Sequence, residues 1–230
     1  MQSAFFALRC YRIKILAISL FIVTAALSLN SFGINWDRLR LSMRSLGGDE
    51  QIFNEWSNLI TSNIDAPIDV KLQKVNLFFN RKIIYTDDNE AWGQSDYWAT
   101  LLESLAKKKG DCEDFVIAKY FSLRNLNIPD TQLRLVYVKA RIGGVNSSIT
   151  QAHMVLAYYP TADAEPLILD NLISDIRPAS RRNDLAPIFS FNGQGIFAGA
   201  ASNASLGPGG TSRLSRWQDL LERARKEGFE

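Results

Sequence analysis

Cys112 and His153 are the residue types that together can make a nucleophile, and the chain has few of either: two cysteines and a single histidine. Cys112 lies in the run Gly110-Asp111-Cys112-Glu113-Asp114. A thiol attacks as its thiolate, and an unperturbed cysteine, with a pKa of ~8.5, is mostly protonated at neutral pH. The positive end of a helix or a neighbouring imidazolium lowers that value. Asp111 is a good N-cap residue, and Asp114 three positions on is a weaker form of the capping-box acid, so Cys112 falls on the first residue of a helix. The three surrounding carboxylates act the other way, because each disfavours a further anion nearby. A bound cation would offset them, and hard oxygen ligands on both sides of the thiol suit Ca2+.

His153 stands in the alternating run Ala152–Tyr159, where Gln151, His153, Val155, Ala157 and Tyr159 share one face of a strand. Asp170 ends the next apolar run. If the two strands pair antiparallel, its carboxylate can accept the ring N–H and fix the tautomer, with Asn171 a weaker substitute. Cys112, His153 and Asp170 then form a nucleophile, a base and the residue that orients the base. A cysteine at a helix start is more often structural than reactive, and a strand histidine more often a core residue. On the residues alone both readings stand. One cysteine and one histidine fall short of a zinc set, and neither a G-x-S-x-G nor a P-loop occurs.

The elements that must position these groups follow from periodicity. Residues 36–65 read as helical segments broken at Gly47-Gly48, with Ile52, Phe53, Trp56, Leu59 and Ile60 at helical spacing. A second helix, capped by Asp69 and striped by Leu72, Val75, Phe78 and Phe79, ends near Arg81-Lys82. Residues 85–100 are polar, aromatic and irregular. The cysteine helix runs until Pro129, followed by strands at Leu133–Ala140, Ala152–Tyr159 and Leu167–Asp170 and a hairpin around Asn192-Gly193. Helices followed by mostly antiparallel strands predict an α+β fold.

The composition is that of a globular protein, with 47% hydrophobic and 22% charged residues. A net charge of +2 gives no basic field for nucleic acid. Arg9, Arg12 and Lys14 precede the uncharged run Ile15–Leu29, a pattern that reads as a secretory signal or an uncleaved anchor over residues 1–29. Cys10 lies inside that segment, so Cys112 is the one thiol of the exported part, which can form no internal disulfide. Residues 199–212 are rich in Gly, Ser and Pro and read as a flexible linker. A charged terminal helix follows, with Leu214, Trp217, Leu220 and Leu221 at helical spacing.

Several blocks together resemble a known family. Asp96-Tyr97-Trp98-Ala99-Thr100, Gly110–Asp114 with Ala118-Lys119-Tyr120-Phe121, Gln151–Leu156, Leu169–Leu172 and Ile176–Ala179 occur in the order found in LapG-type bacterial transglutaminase-like cysteine peptidases. The resemblance covers about residues 35–198. It implies a papain-like or transglutaminase-like fold, with the cysteine helix packed on an antiparallel sheet. It implies a periplasmic, Ca2+-dependent endopeptidase that cuts the N-terminal region of a large surface adhesin, commonly at Ala-Ala, and so releases biofilm. An inner-membrane cyclic-di-GMP receptor would restrain the enzyme, which itself binds no nucleotide directly. The family's triad carries over onto Cys112, His153 and Asp170, and its calcium-binding acids onto Asp111 and Glu113, with Asp88 and Asp96 the nearest candidates for further ligands. Trp98 and Gln151 are candidates for the oxyanion site or the substrate wall. Two other activities suit the same residues: acyl transfer to an amine, and a non-catalytic module kept for receptor contact.

Overall fold

A computed structural model describes residues 34–144, 146–200 and 214–229. The segment read as a signal or anchor and most of the Gly/Ser-rich linker lie outside the described residues. Among the described residues no helix is long and apolar enough to cross a membrane. Asn35–Glu230 form one compact unit.

Three helices come first: α1 (Trp36–Ser45), α2 (Glu50–Ser62) and α3 (Ile68–Lys82). The break between α1 and α2 falls at Gly47-Gly48, as the sequence predicts. Asp49 caps α2 by accepting the Gln51 N–H, and Ile52, Phe53, Trp56 and Ile60 on one face are buried. Burying side chains of this size contributes about 1.5–3 kcal/mol each. The expected cap of α3 differs: Pro67 is the N-cap, and Asp69 sits in the first turn, where its charge still favours the helix dipole.

The irregular stretch before the cysteine contains β1 (Ile84–Tyr85), the single-turn α4 (Asp88–Ala91), α5 (Leu101–Lys107) and β2 (Lys109–Gly110). A reciprocal capping box between Thr100 and Glu103 starts α5, and Lys108 in the left-handed region ends it. β1 and β2 pair in parallel, which lays Tyr85 beside Gly110.

The cysteine helix α6 (Cys112–Asn125) is buried continuously from Asp114 to Leu123, all round rather than along one stripe. It packs on β4 (Thr150–Tyr158), α3 and α5. The larger sheet also contains β3 (Leu133–Arg141), β5 (Leu167–Leu169), β6 (Arg177–Pro178), β7 (Leu185–Phe191) and β8 (Ile196–Ala198), in the order β6-β5-β4-β3-β7-β8, antiparallel throughout. The α+β reading holds.

The charged terminal helix α7 (Ser215–Glu227) is part of this unit. Trp217, Leu220 and Ala224 are buried, and the Trp217 ring meets Phe191 edge-on at 5.3 Å. Trp217 on this helix packs on Tyr120 and Phe121 of α6 and on Phe191 of β7.

Candidate active site

Strand register explains how His153 and Asp170 meet. β5 pairs only with Leu156–Tyr158, so the β4 edge is open from Val155 back towards His153. Asp170 follows the last residue of β5, and two-residue alternation puts it on the face of Ile168, as it puts His153 on the face of Val155. The His153 Nε2 lies 2.8 Å from Asp170 Oδ1, and both side chains are almost fully buried. Bonding through Nε2 leaves Nδ1 as the nitrogen available to a thiol.

Asp170 is held from other sides as well. The Leu172 N–H donates to Oδ1 at 3.0 Å and the Arg182 guanidinium donates to Oδ2 at 2.7 Å, while Arg182 also reaches Asp184. Burial pulls the Asp170 carboxyl upward, but the bonds from His153, Arg182 and Leu172 outweigh it and bring it down to about 2. It is a carboxylate at any physiological pH. Asn171, the weaker candidate, does not replace it in the bond to His153.

Cys112 occupies the start of α6, half-buried. Its thiol donates to Glu113 Oε2 at 2.6 Å, and the Met154 N–H, on the residue after His153, acts to lower its pKa. The sulfur thus feels the open edge of β4 at Met154, the strand that carries the base. Among the described residues no hydrogen bond joins thiol and imidazole; the thiol is turned to Glu113. Burial, the Glu113 charge and Asp111 push the thiol strongly upward, against a smaller opposing effect of the Met154 N–H. The like-charge problem read from the sequence is present in full.

The acids around the thiol are not used as the sequence suggests. Asp111 is the N-cap by backbone position but makes no side-chain capping bond. Asp114, expected as a capping-box acid, accepts the Ala99 N–H at 2.7 Å and the Trp92 indole N–H at 3.2 Å. Gly110 is required here, since a Cβ at that position would stand 2.5 Å from Asp114 Oδ2. Asp88 in turn accepts the Tyr97 N–H at 2.6 Å. Asp88, Asp111 and Asp114 present oxygens within 4.8 Å of one another, as do Asp111 and Glu113 with the Cys112 sulfur. Asp88 Oδ1 and Asp111 Oδ1 are buried without any hydrogen-bond partner. Burial and mutual repulsion raise Asp88 to about 6 and Asp114 to about 8, and raise Asp111 as well. Crowded acids with orphaned oxygens fit a divalent cation, which would satisfy the oxygens and relieve the repulsion.

Other candidates are placed elsewhere. Asp96 stays out of the cluster: its carboxylate pairs with Arg216 at 2.7 Å and accepts the Trp98 indole N–H at 3.3 Å. Asp114, not named as a ligand from the sequence, is grouped with Asp88 and Asp111 instead. The Trp98 ring is buried and stacked on Phe191 at 5.7 Å, so it belongs to the core rather than to an oxyanion site. Gln151 is exposed on β4, two residues before His153.

Sequence reasoning missed two groups beside Asp170. Arg182 comes 12 residues after it, a spacing with no periodic signal. Lys119 is fully buried on α6 with its Nζ unpartnered; burial lowers its pKa to about 7, partly opposed by the field of Asp170. A lysine within the apolar run Phe115–Phe121 was the available sign.

Residues 58–183 match the profile of a family described as bacterial transglutaminase-like cysteine proteinase BTLCP. Among solved structures, Legionella pneumophila LapG is 38% identical, with a TM-score of 0.69, over 83% of this chain and 98% of that one. EGTA-treated and calcium-bound forms of the same Legionella protein match with TM-scores of 0.71 and 0.69, each 38% identical over 83% of this chain. A search of curated proteins returns no match.

Proposed function

The chain belongs to the family of bacterial transglutaminase-like cysteine proteinases, and from that premise we propose that it is a Ca2+-dependent periplasmic endopeptidase that clips the N-terminal region of a large surface adhesin at small residues such as Ala-Ala. Release of the adhesin would loosen biofilm, and an inner-membrane cyclic-di-GMP receptor would restrain the enzyme. The supporting observation is that the helix starting at the thiol, among acids with unsatisfied oxygens, packs on the strand that carries the buried His153–Asp170 pair. The existence of calcium-bound and EGTA-treated forms of the Legionella relative supports the same cation.

In the reaction so read, His153 takes the proton of Cys112 and the sulfur attacks the scissile carbonyl. His153 then protonates the leaving amine, and water hydrolyses the thioester. Asp170, kept anionic by Arg182 and Leu172, holds the ring and stabilises its protonated form. The backbone N–H of Cys112, at a helix start, faces the developing oxyanion. Asp111, Glu113, Asp88 and Asp114 are the residues that would hold the cation. Bound there, it would supply positive charge that favours the thiolate.

The test incubates purified protein with the N-terminal fragment of an adhesin encoded nearby, with Ca2+ or with excess chelator. Cleavage is expected only with Ca2+ and only when Cys112 is present. Cleavage by Cys112→Ala would refute the nucleophile, and full activity in excess chelator would dismiss the metal.

A further inference from the structure

Residues 96–100 run between the acid cluster and α7, and their backbone is gripped alternately from both sides. On the acid side, the Tyr97 N–H donates to Asp88 at 2.6 Å and the Ala99 N–H to Asp114 at 2.7 Å. On the helix side, the Asp96 carbonyl accepts from Arg216 Nε at 2.9 Å and the Trp98 carbonyl from Arg223 Nη2 at 2.6 Å. The Thr100 hydroxyl donates to Glu227 at 2.6 Å, and Arg223 also pairs with Glu103, the capping-box acid of Thr100. Arg223 further lies over the Tyr97 ring, 4.8 Å from its centroid. Asp96 itself is in the left-handed region, with φ of 56°, a conformation that persists when its surroundings enforce it.

We propose that α7 is a clamp that sets the affinity of the acid cluster for a divalent cation, with Arg223 and Arg216 as positioning residues. The inference rests on the cation reading above. The argument is geometric. Asp88 and Asp114 each spend one or both oxygens on backbone or indole donors of the 92–99 stretch, which leaves Asp88 Oδ1 buried and without a partner in a cluster with Asp111. Those donors keep their positions only while the carbonyls between them are held. α7 holds them through charge-assisted bonds, the stronger kind. The apolar burial of Trp217, Leu220 and Ala224 fixes the helix that presents the two arginines.

The experiment measures Ca2+ affinity of the full chain by calorimetry, with Ca2+-dependent thermal shift alongside. Arg223→Gln and, separately, the more exposed Arg216→Gln are expected to weaken Ca2+ binding by about tenfold, the effect of losing one charge-assisted bond. Arg38→Gln is the control for helix docking alone. Arg38 donates to the Arg225 and Lys226 carbonyls at the far end of α7 and does not touch residues 96–100. It is expected to lower the melting temperature and leave Ca2+ affinity unchanged. Unchanged affinity in both the Arg216 and Arg223 variants, with normal binding by the parent chain, overturns the clamp alone. No Ca2+ binding by the parent chain overturns the cation reading and the clamp with it.

Discussion

Removing the cation should silence the thiol before any substrate is involved, and the size of the effect can be worked from the cluster. The Cys112 sulfur and a Glu113 oxygen lie 2.6 Å apart as thiol and acceptor, and the 4.8 Å bound of their shared cluster gives the smallest repulsion once both are charged. At that separation one uncompensated carboxylate costs the thiolate about 3.5 kcal/mol at an effective dielectric of ~20, or about 2.5 pKa units. Starting from ~8.5, the thiolate fraction at pH 7 drops from about 3% to about 0.01%. The more basic thiolate is intrinsically more nucleophilic and recovers about 15-fold, leaving a net loss of about 20-fold. Burial adds to this in the same direction. Alkylation by iodoacetamide at pH 7, followed by mass spectrometry of the Cys112 peptide, reads the rate without interference from Cys10. In excess chelator the wild-type chain is expected to alkylate at least about 20-fold more slowly than with Ca2+. Glu113→Gln in chelator should regain most of that rate, because the carboxylate is gone. Equal wild-type rates with and without Ca2+, or a chelated Glu113→Gln protein no faster than wild type, would refute the reasoning.

Two further expectations concern the groups around Asp170. Its carboxyl is lowered from 3.8 to about 2, so it contributes about 2 kcal/mol of stability that is complete above pH ~4 and lost as pH falls towards ~2. His153→Ala removes the largest of the lowering contacts and should flatten that acid limb in denaturant titrations at pH 2–5; an unchanged limb refutes the assignment. Lys119 has the opposite sign: its folded pKa of about 7 lies below the ordinary lysine value of 10.5, so stability falls as pH drops from ~10 to ~7 while only the unfolded chain takes up the proton. Lys119→Met should therefore be more stable than wild type at pH 7, by a few kcal/mol in urea unfolding, with the gain vanishing near pH 10.5. A less stable Lys119→Met protein at pH 7 would mean that the ammonium is matched by a partner such as Asp170.

Periodicity and punctuation carried much of the fold. The stripe in α2, the Gly47-Gly48 break and the alternation of β3 and β4 are local patterns, and the structure has them where the sequence places them. The pairing of His153 with Asp170 was also legible, because adjacent antiparallel strands leave few residues able to face each other. The acids were the harder part. Asp111 and Asp114 obey the local rule for helix starts, yet their side chains leave the helix end for each other, for Asp88 and for the donors of Trp92 and Ala99. Asp96 looked like a ligand by proximity in the chain and is drawn off by Arg216, which is 120 residues away. Arg182 met Asp170 through the meeting of distant elements, and no spacing announces such a contact. The sequence by itself determined which groups can do chemistry and which elements hold them, since residue type and local periodicity act over a few residues. Only the tertiary structure decided which acids face one another and what grips them, because that depends on strand register and on α7 docking across the chain.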